Sequence, residues 1–189
     1  MPRKADAHLE SRIVDAAYQL WSKGGEHALT MRAVALASKT TTPTLYERFH
    51  DKHDLIAFLR ERARQKMFAA MLGAKSAVDA CRLGLDFTLN NGNEYLLLTS
   101  DWAERLGRNE PMPSYEFLRR KLADDLGGEP ADYAQLALSL VGLVHGTAIL
   151  ILAEGVEPKI AKQFRDACLE GCQTLIECAG ERVGSGSKR

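Results

Sequence analysis

The chain has 189 residues, 46% of them hydrophobic, enough for one substantial core or for a small domain beside a larger one. Its 25 Lys/Arg balance 25 Asp/Glu, so the total charge is silent about nucleic acid and only the distribution along the chain carries information. The opening Met1-Pro2-Arg3-Lys4-Ala5-Asp6 lacks the apolar run of a secretory signal, and four cysteines need no disulfide framework, so the expected location is cytoplasmic.

The charge is unevenly spread. Residues 1–66 hold twelve Lys/Arg against eight Asp/Glu, the remainder thirteen against seventeen, and His8, His27, His50 and His53 add to the basic third. That asymmetry fits an anionic partner at the N-terminal end, although a solvated surface would produce the same count.

Helical periodicity runs through nearly every segment and no alternating stretch is long enough for a sheet, so the class is all-α, with about nine helices. From His8 to Ser22, Leu9, Ile13, Ala16, Ala17, Leu20 and Trp21 recur at three- and four-residue steps until Gly24-Gly25 stop the helix. Thr30 caps a short second helix with Met31, Val34 and Ala35 inward, ending near Ser38. Thr41 caps a third over Thr42 to about His50, with Pro43 in its first turn and Leu45 and Phe49 inward. Asp51 starts a longer helix to about Leu72. Further helices are expected over Val78–Asn90, Glu94–Leu106, Tyr115–Leu126, Ala131–Ala153 and Pro158–Gly180, separated by Gly/Pro/Asn breaks. The apolar run Leu136–Ala153 approaches membrane-spanning length, but it carries Ser139, His145 and Thr147 and lacks basic anchors, so it reads as a buried helix and no membrane is expected. The division is 1–52 for a three-helix domain, 53–183 for a larger helical domain, and 184–189 for a disordered tail.

Two short helices joined by a tight turn, the second with a polar outer face, have the geometry of a helix-turn-helix, whose reading helix enters the major groove. Thr42, Thr44, Tyr46, Glu47 and Arg48 face outward here, with Lys52 just beyond. Hydroxyls and the phenol can bond phosphates or base edges, Arg48 a guanine or a phosphate, and Lys52 the phosphate backbone. An ordinary three-helix bundle with a polar surface would share much of this pattern. The run Arg12-Ile13-Val14-Asp15-Ala16-Ala17, Leu20-Trp21, Gly25, Thr30, Val34-Ala35 and Thr44-Leu45-Tyr46-Glu47-Arg48-Phe49-His50-Asp51-Lys52 resembles the TetR family of regulators. The resemblance implies base or groove contacts from Thr42, Pro43, Thr44 and Arg48, phosphate contacts from Tyr46 and Lys52, and a DNA-facing Arg32. Thr41 and Lys39 join the same candidate face. The chain departs from the family at Lys39-Thr40-Thr41, where Gly-Val-Ser is usual. A left-handed Lys39 would cost on the order of 1 kcal/mol relative to glycine.

The resemblance further implies a homodimer through helices 131–153 and 158–180, and two reading helices on a two-fold dimer predict a palindromic operator in double-stranded DNA. The expected function is a repressor released from that operator by a small, mainly apolar effector of unknown identity. The alternative is an activator, or a regulator controlled by a partner protein. Phe87, Thr88, Tyr95, Thr99, Trp102, Tyr115, Phe117 and His145 have the mixed aromatic and hydroxyl character of a ligand site, a pattern that plain core also produces. His145 itself suits a ligand contact or a satisfied core histidine. Cys168 and Cys172, one turn apart, could pair or hold a metal but read better as small hydrophobes, and neither metal nor cofactor is expected. No phosphate loop, His-Glu-x-x-His helix or nucleophile elbow suggests an enzyme.

Overall fold

The structure, a computed structural model, describes residues 8–186. Among these residues there are ten α-helices, one 3-10 turn and no strand. The helices are α1 Leu9–Ala28, α2 Met31–Ala37, α3 Thr42–Tyr46, α4 Lys52–Met71, α5 Ala77–Asn90, α6 Gly92–Thr99, α7 Trp102–Gly107, α8 Pro113–Leu126, α9 Ala134–Leu152 and α10 Pro158–Gly186, with the 3-10 turn at Pro130–Tyr133. Residues 184–186, expected in a disordered tail, continue the α10 backbone, and 187–189 lie outside the described residues.

Among the described residues the helices form two compact units, one made of residues 8–65 with Asn91–Trp102, the other of Lys66–Asn90 with residues 103–186. The expected division after residue 52 falls within the first core, because α4 continues it through buried Leu55, Ile56, Leu59 and Ala63.

In the first unit, α1 buries Leu9, Ile13, Ala17 and Trp21 at four-residue steps. The helix is then broken at Gly24 and at Gly25, whose φ of 60° and ψ of −149° belong to a region that is essentially reserved for glycine. This break turns the chain so that Leu29 enters the core, 1% exposed. Helix α6 holds α1 just before the break. Trp21 Nε1 donates to the Asn93 carbonyl at 2.7 Å, Asn93 Nδ2 donates to the Ser22 carbonyl at 3.0 Å, and Ser22 Oγ donates to Glu94 Oε1 at 2.5 Å.

A single helix over Glu94–Leu106 is corrected to α6 and α7 with a break at Ser100-Asp101. Thr99 Oγ1 bonds the Tyr95 carbonyl at 2.9 Å and Ser100 Oγ the Leu97 carbonyl at 2.7 Å, competing with the amides that would continue the helix. Arg64 Nη2 grips both oxygens of Asp101, at 2.7 and 2.5 Å, and Arg60 Nε donates to Ser100 Oγ at 3.0 Å.

In the second unit α5, α8, α9 and α10 pack on one another. Gly171 of α10 permits the approach to α9: a Cβ there would stand 3.1 Å from Leu143 Cδ2. An ion network ties α5 to α10. Arg82 pairs with Asp79 and Asp86, and Arg165 Nη2 reaches Asp86 Oδ1 at 2.8 Å. The Lys75 backbone amide, then Arg82, hold the Asp79 carboxyl below the usual carboxylate range.

The sequence reading of the apolar run as a buried helix holds within this chain for one side of α9 only. Pro130–Leu152 is apolar and long enough to cross a membrane by length and composition. Yet within the chain α9 buries only Ala137, Leu140, Thr147 and Ala148, while Ser139, Gly142, Gly146, Ile149 and Leu150 are exposed or half-exposed. An apolar pattern all round a helix does not reveal which side the same chain covers.

Candidate nucleic-acid interface

Helices α2 and α3 form the expected pair. The Thr30 side chain accepts from the Ala33 amide at 3.1 Å, and Thr41 Oγ1 accepts from the Thr44 amide at 3.3 Å, so both helix starts are capped by hydroxyls as their sequence suggests. Between the helices, Lys39 stands at φ 55°, in the left-handed region. Its amide bonds the Leu36 carbonyl at 3.2 Å and the Thr40 amide bonds the Ala35 carbonyl at 2.9 Å, the paired bonds of a Schellman ending. Buried Ser38 ties the turn down by donating from Oγ to the Val34 carbonyl at 2.7 Å.

Beneath α3, Leu45 and Phe49 are almost fully buried, and the Phe49 ring meets Phe58 of α4 edge-on at 5.3 Å. The opposite side is open. Arg32, Lys39, Thr41, Pro43, Tyr46 and Arg48 are exposed or half-exposed, as are Thr42 and Thr44. Thr44 Oγ1 lies 2.9 Å from Thr41 Oγ1, so one of the two hydroxyl protons remains for another acceptor. At the start of α4, Asp51 Oδ1 accepts from the His53 and Asp54 amides at 2.7 and 3.0 Å, and the His50 amide bonds Asp54 Oδ2 at 3.1 Å. The Asp54 amide is the main reason that the Asp51 carboxyl titrates below the usual carboxylate range. This capping fixes the backbone beside Lys52. Lys52 Nζ lies 3.2 Å from Glu26 Oε1, a contact that sequence spacing does not reveal.

Lys39 offers a test because conformation and charge pull in opposite directions. Replacing it with glycine should stabilise the first unit by about 0.5–1 kcal/mol, by relieving a left-handed side-chain residue. The same change should weaken DNA binding if the ammonium meets a phosphate. Thermal melts and binding titrations of Lys39→Gly read both effects; a lower melting point would contradict the conformational account.

The residues grouped as effector contacts are divided between the units. Tyr95, Thr99 and Trp102 belong to the first. Burial pushes the Tyr95 phenol well above its ordinary value, and Thr99 spends its hydroxyl on the Tyr95 carbonyl. Phe87, Thr88, Tyr115, Phe117 and His145 belong to the second unit. Phe87 and Thr88 are buried, the latter donating to the Gly84 carbonyl at 2.9 Å. Tyr115 donates to the Ala134 carbonyl at 3.0 Å, Phe117 meets Phe68 edge-on at 6.0 Å, and His145 is half-buried on α9. Cys168 and Cys172 are buried. The neighbouring Cys168 lowers the Cys172 thiol, but Cys81 and burial outweigh it and push the thiol up to about 12. Such thiols behave as packing groups. Among the described residues no cluster of three or more His, Cys, Asp or Glu is arranged to hold a metal.

Residues 13–58 match the family model described as bacterial regulatory proteins, tetR family. No curated protein matches the chain by sequence. Among solved structures, a TetR regulator from Streptomyces coelicolor is 21% identical with a TM-score of 0.64, covering 90% of this chain and 97% of that one. A TetR-like transcriptional regulator from Rhodococcus sp. RHA1 is 20% identical with a TM-score of 0.58, covering 92% and 96%. The TetR family regulator PfmR from Thermus thermophilus is 18% identical with a TM-score of 0.52, covering 84% and 97%. These likenesses extend the fold across nearly the whole chain, beyond the segment that the family model covers.

Proposed function

We propose that this chain, which belongs to the tetR family of bacterial regulatory proteins through its residues 13–58 and is a DNA-binding regulator of that type, acts in the cytoplasm as a dimeric repressor released by a small effector. The observation that carries the reading is the open face of α3. Leu45 and Phe49 lock the helix from below, which leaves Thr42, Thr44 and Tyr46 of α3, and Arg48 in the turn that ends this helix short of the expected His50, free to meet groove edges and phosphates, with Lys52 beside them.

The open stripe of α9 supports the dimer. Ser139, Gly142, Gly146 and Ile149 follow one another at three- and four-residue steps, and a Cβ on either glycine would meet nothing within 4 Å. Ile160, Phe164 and Leu175 add exposed apolar surface along α10. A second copy laid on this surface buries it, with the glycines permitting close helix approach. Two heads on one axis then read two half-sites of a palindrome. In the second unit, Phe87, Tyr115, Phe117 and His145 supply the groups for a mainly apolar effector. Effector binding would shift a two-state equilibrium in the spacing of the two reading heads, lowering affinity by the coupling energy between the states.

Selection of bound fragments from a random-sequence DNA pool, followed by footprinting, tests the reading. The expected result is one protected near-palindrome. Bound fragments without a shared sequence would overturn it. A metabolite panel read by thermal shift tests the effector: a ligand that binds the native state must raise the melting temperature and should release the selected duplex. A panel hit that raises melting yet leaves DNA binding intact would favour control by a partner protein.

A further inference from the structure

The cation at the start of α4 is already engaged. Lys52 Nζ pairs with Glu26 Oε1 at 3.2 Å, whereas no ion pair with a described residue engages Arg32, Lys39 or Arg48 on the same unit. The pair joins residues 26 positions apart, and it exists because of the backbone break in α1. Gly25, at φ 60°, sets the direction of the chain as it leaves the helix, and the next residue is Glu26. The Leu29 amide bonds the Glu26 carbonyl at 3.2 Å and buried Leu29 anchors the far side, so the backbone that carries the carboxylate is held at both ends. The carboxylate itself remains open to water, with the Glu26 side chain 68% exposed and that of Lys52 33% exposed.

From this geometry we infer that Glu26 is an internal competitor of DNA phosphate for Lys52, a brake on sequence-independent binding. The inference rests on the proposed DNA-binding face. A phosphate that takes Lys52 must displace the Glu26 carboxylate and leave it unpaired beside a polyanion. The freed carboxylate repels the duplex or takes up a cation, which offsets the counterion that Lys52 releases from DNA. Weak binding to any duplex is supplied almost wholly by such charges, whereas site-specific binding adds base contacts from α3 that Glu26 does not touch. The carboxylate therefore subtracts from the background binding in proportion more than from the specific binding.

The experiment uses the full chain and a duplex of mixed sequence about three helical turns long, titrated at several salt concentrations with wild type, Glu26→Gln, Lys52→Ala and the double variant. Both side chains lie at the surface, and thermal melts confirm that each variant folds. Glu26→Gln should tighten binding about three- to fivefold at low salt, the range expected of an exposed ion pair. It should also steepen the salt slope by up to about 0.9 for each head in contact with the duplex. In the Lys52→Ala background the same change should have little effect. Equal affinity for wild type and Glu26→Gln overturns the inference, as does equal tightening with and without Lys52, which would make Glu26 a mere contributor to net charge. If Lys52→Ala changes neither affinity nor slope in the Glu26→Gln background, the DNA-binding role of this lysine fails, and the inference falls with it.

Discussion

Replacing Phe49 with alanine should unfold the first unit selectively and abolish DNA binding. The ring is 1% exposed and stacks edge-on against Phe58, so its removal loses transfer free energy and leaves a cavity, about 3–5 kcal/mol in all. A domain with a total stability of about 5–15 kcal/mol has little reserve against such a loss. The protein reports on this unit conveniently, because Trp21 and Trp102, its two tryptophans, both belong to it. Urea unfolding followed by tryptophan fluorescence should shift to a far lower midpoint, while helical circular dichroism retains a second transition from α5, α8, α9 and α10. Phe49→Leu keeps most of the volume and should cost about 1.5 kcal/mol or less. A Phe49→Ala variant that unfolds like wild type and still binds DNA would mean that the packing under α3 does not hold the reading helix.

The second large effect concerns assembly. Gly146→Leu places a side chain where nothing of the same chain lies within 4 Å, so the isolated chain should tolerate it. Removing a mid-helix glycine even favours α9 by up to about 1 kcal/mol. If the open α9 stripe meets a second copy, the added bulk prevents close approach and the dimer separates. Sedimentation should then find the 20.9 kDa chain where wild type runs at twice that mass. The affinity for a two-half-site duplex should fall about 100-fold or more with the loss of the second linked head. Gly142→Leu should act in the same way. A Gly146→Leu protein that stays dimeric would show that the dimer forms elsewhere.

Local chemistry was legible in the sequence wherever it acts over a few residues. Thr30 and Thr41 announce their helices because a hydroxyl before an amphipathic run has a backbone amide to cap. Gly24-Gly25 marks the end of regular helix, and Lys39 sits in the left-handed turn that its place between two short helices demands. What joins distant parts of the chain left little trace. Arg64 and Asp101 are 37 residues apart, and without that contact the Ser-Asp step reads as a tolerable part of one long helix. Tyr95, Thr99 and Trp102 resemble their neighbours in aromatic and hydroxyl character, yet α6 lies against α1 rather than in the second core. The Glu26–Lys52 pair depends on a backbone turn whose direction the two glycines permit but do not specify. For α9 the sequence shows an apolar helix, whereas the division between the face covered by the same chain and the face left open depends on the packing of α5 and α10.

The most direct test of the account is the salt dependence of binding to the selected duplex, measured for wild type beside a Tyr46→Phe, Lys52→Ala double variant. Wild type should bind steeply less well as salt rises. The double variant should bind about tenfold or more weakly, with a slope shallower by up to about 1.8, less whatever part Glu26 already offsets, because each of two heads loses a phosphate contact. Equal affinities and equal slopes for the two proteins would contradict the placement of DNA on the face formed by α3 and the start of α4.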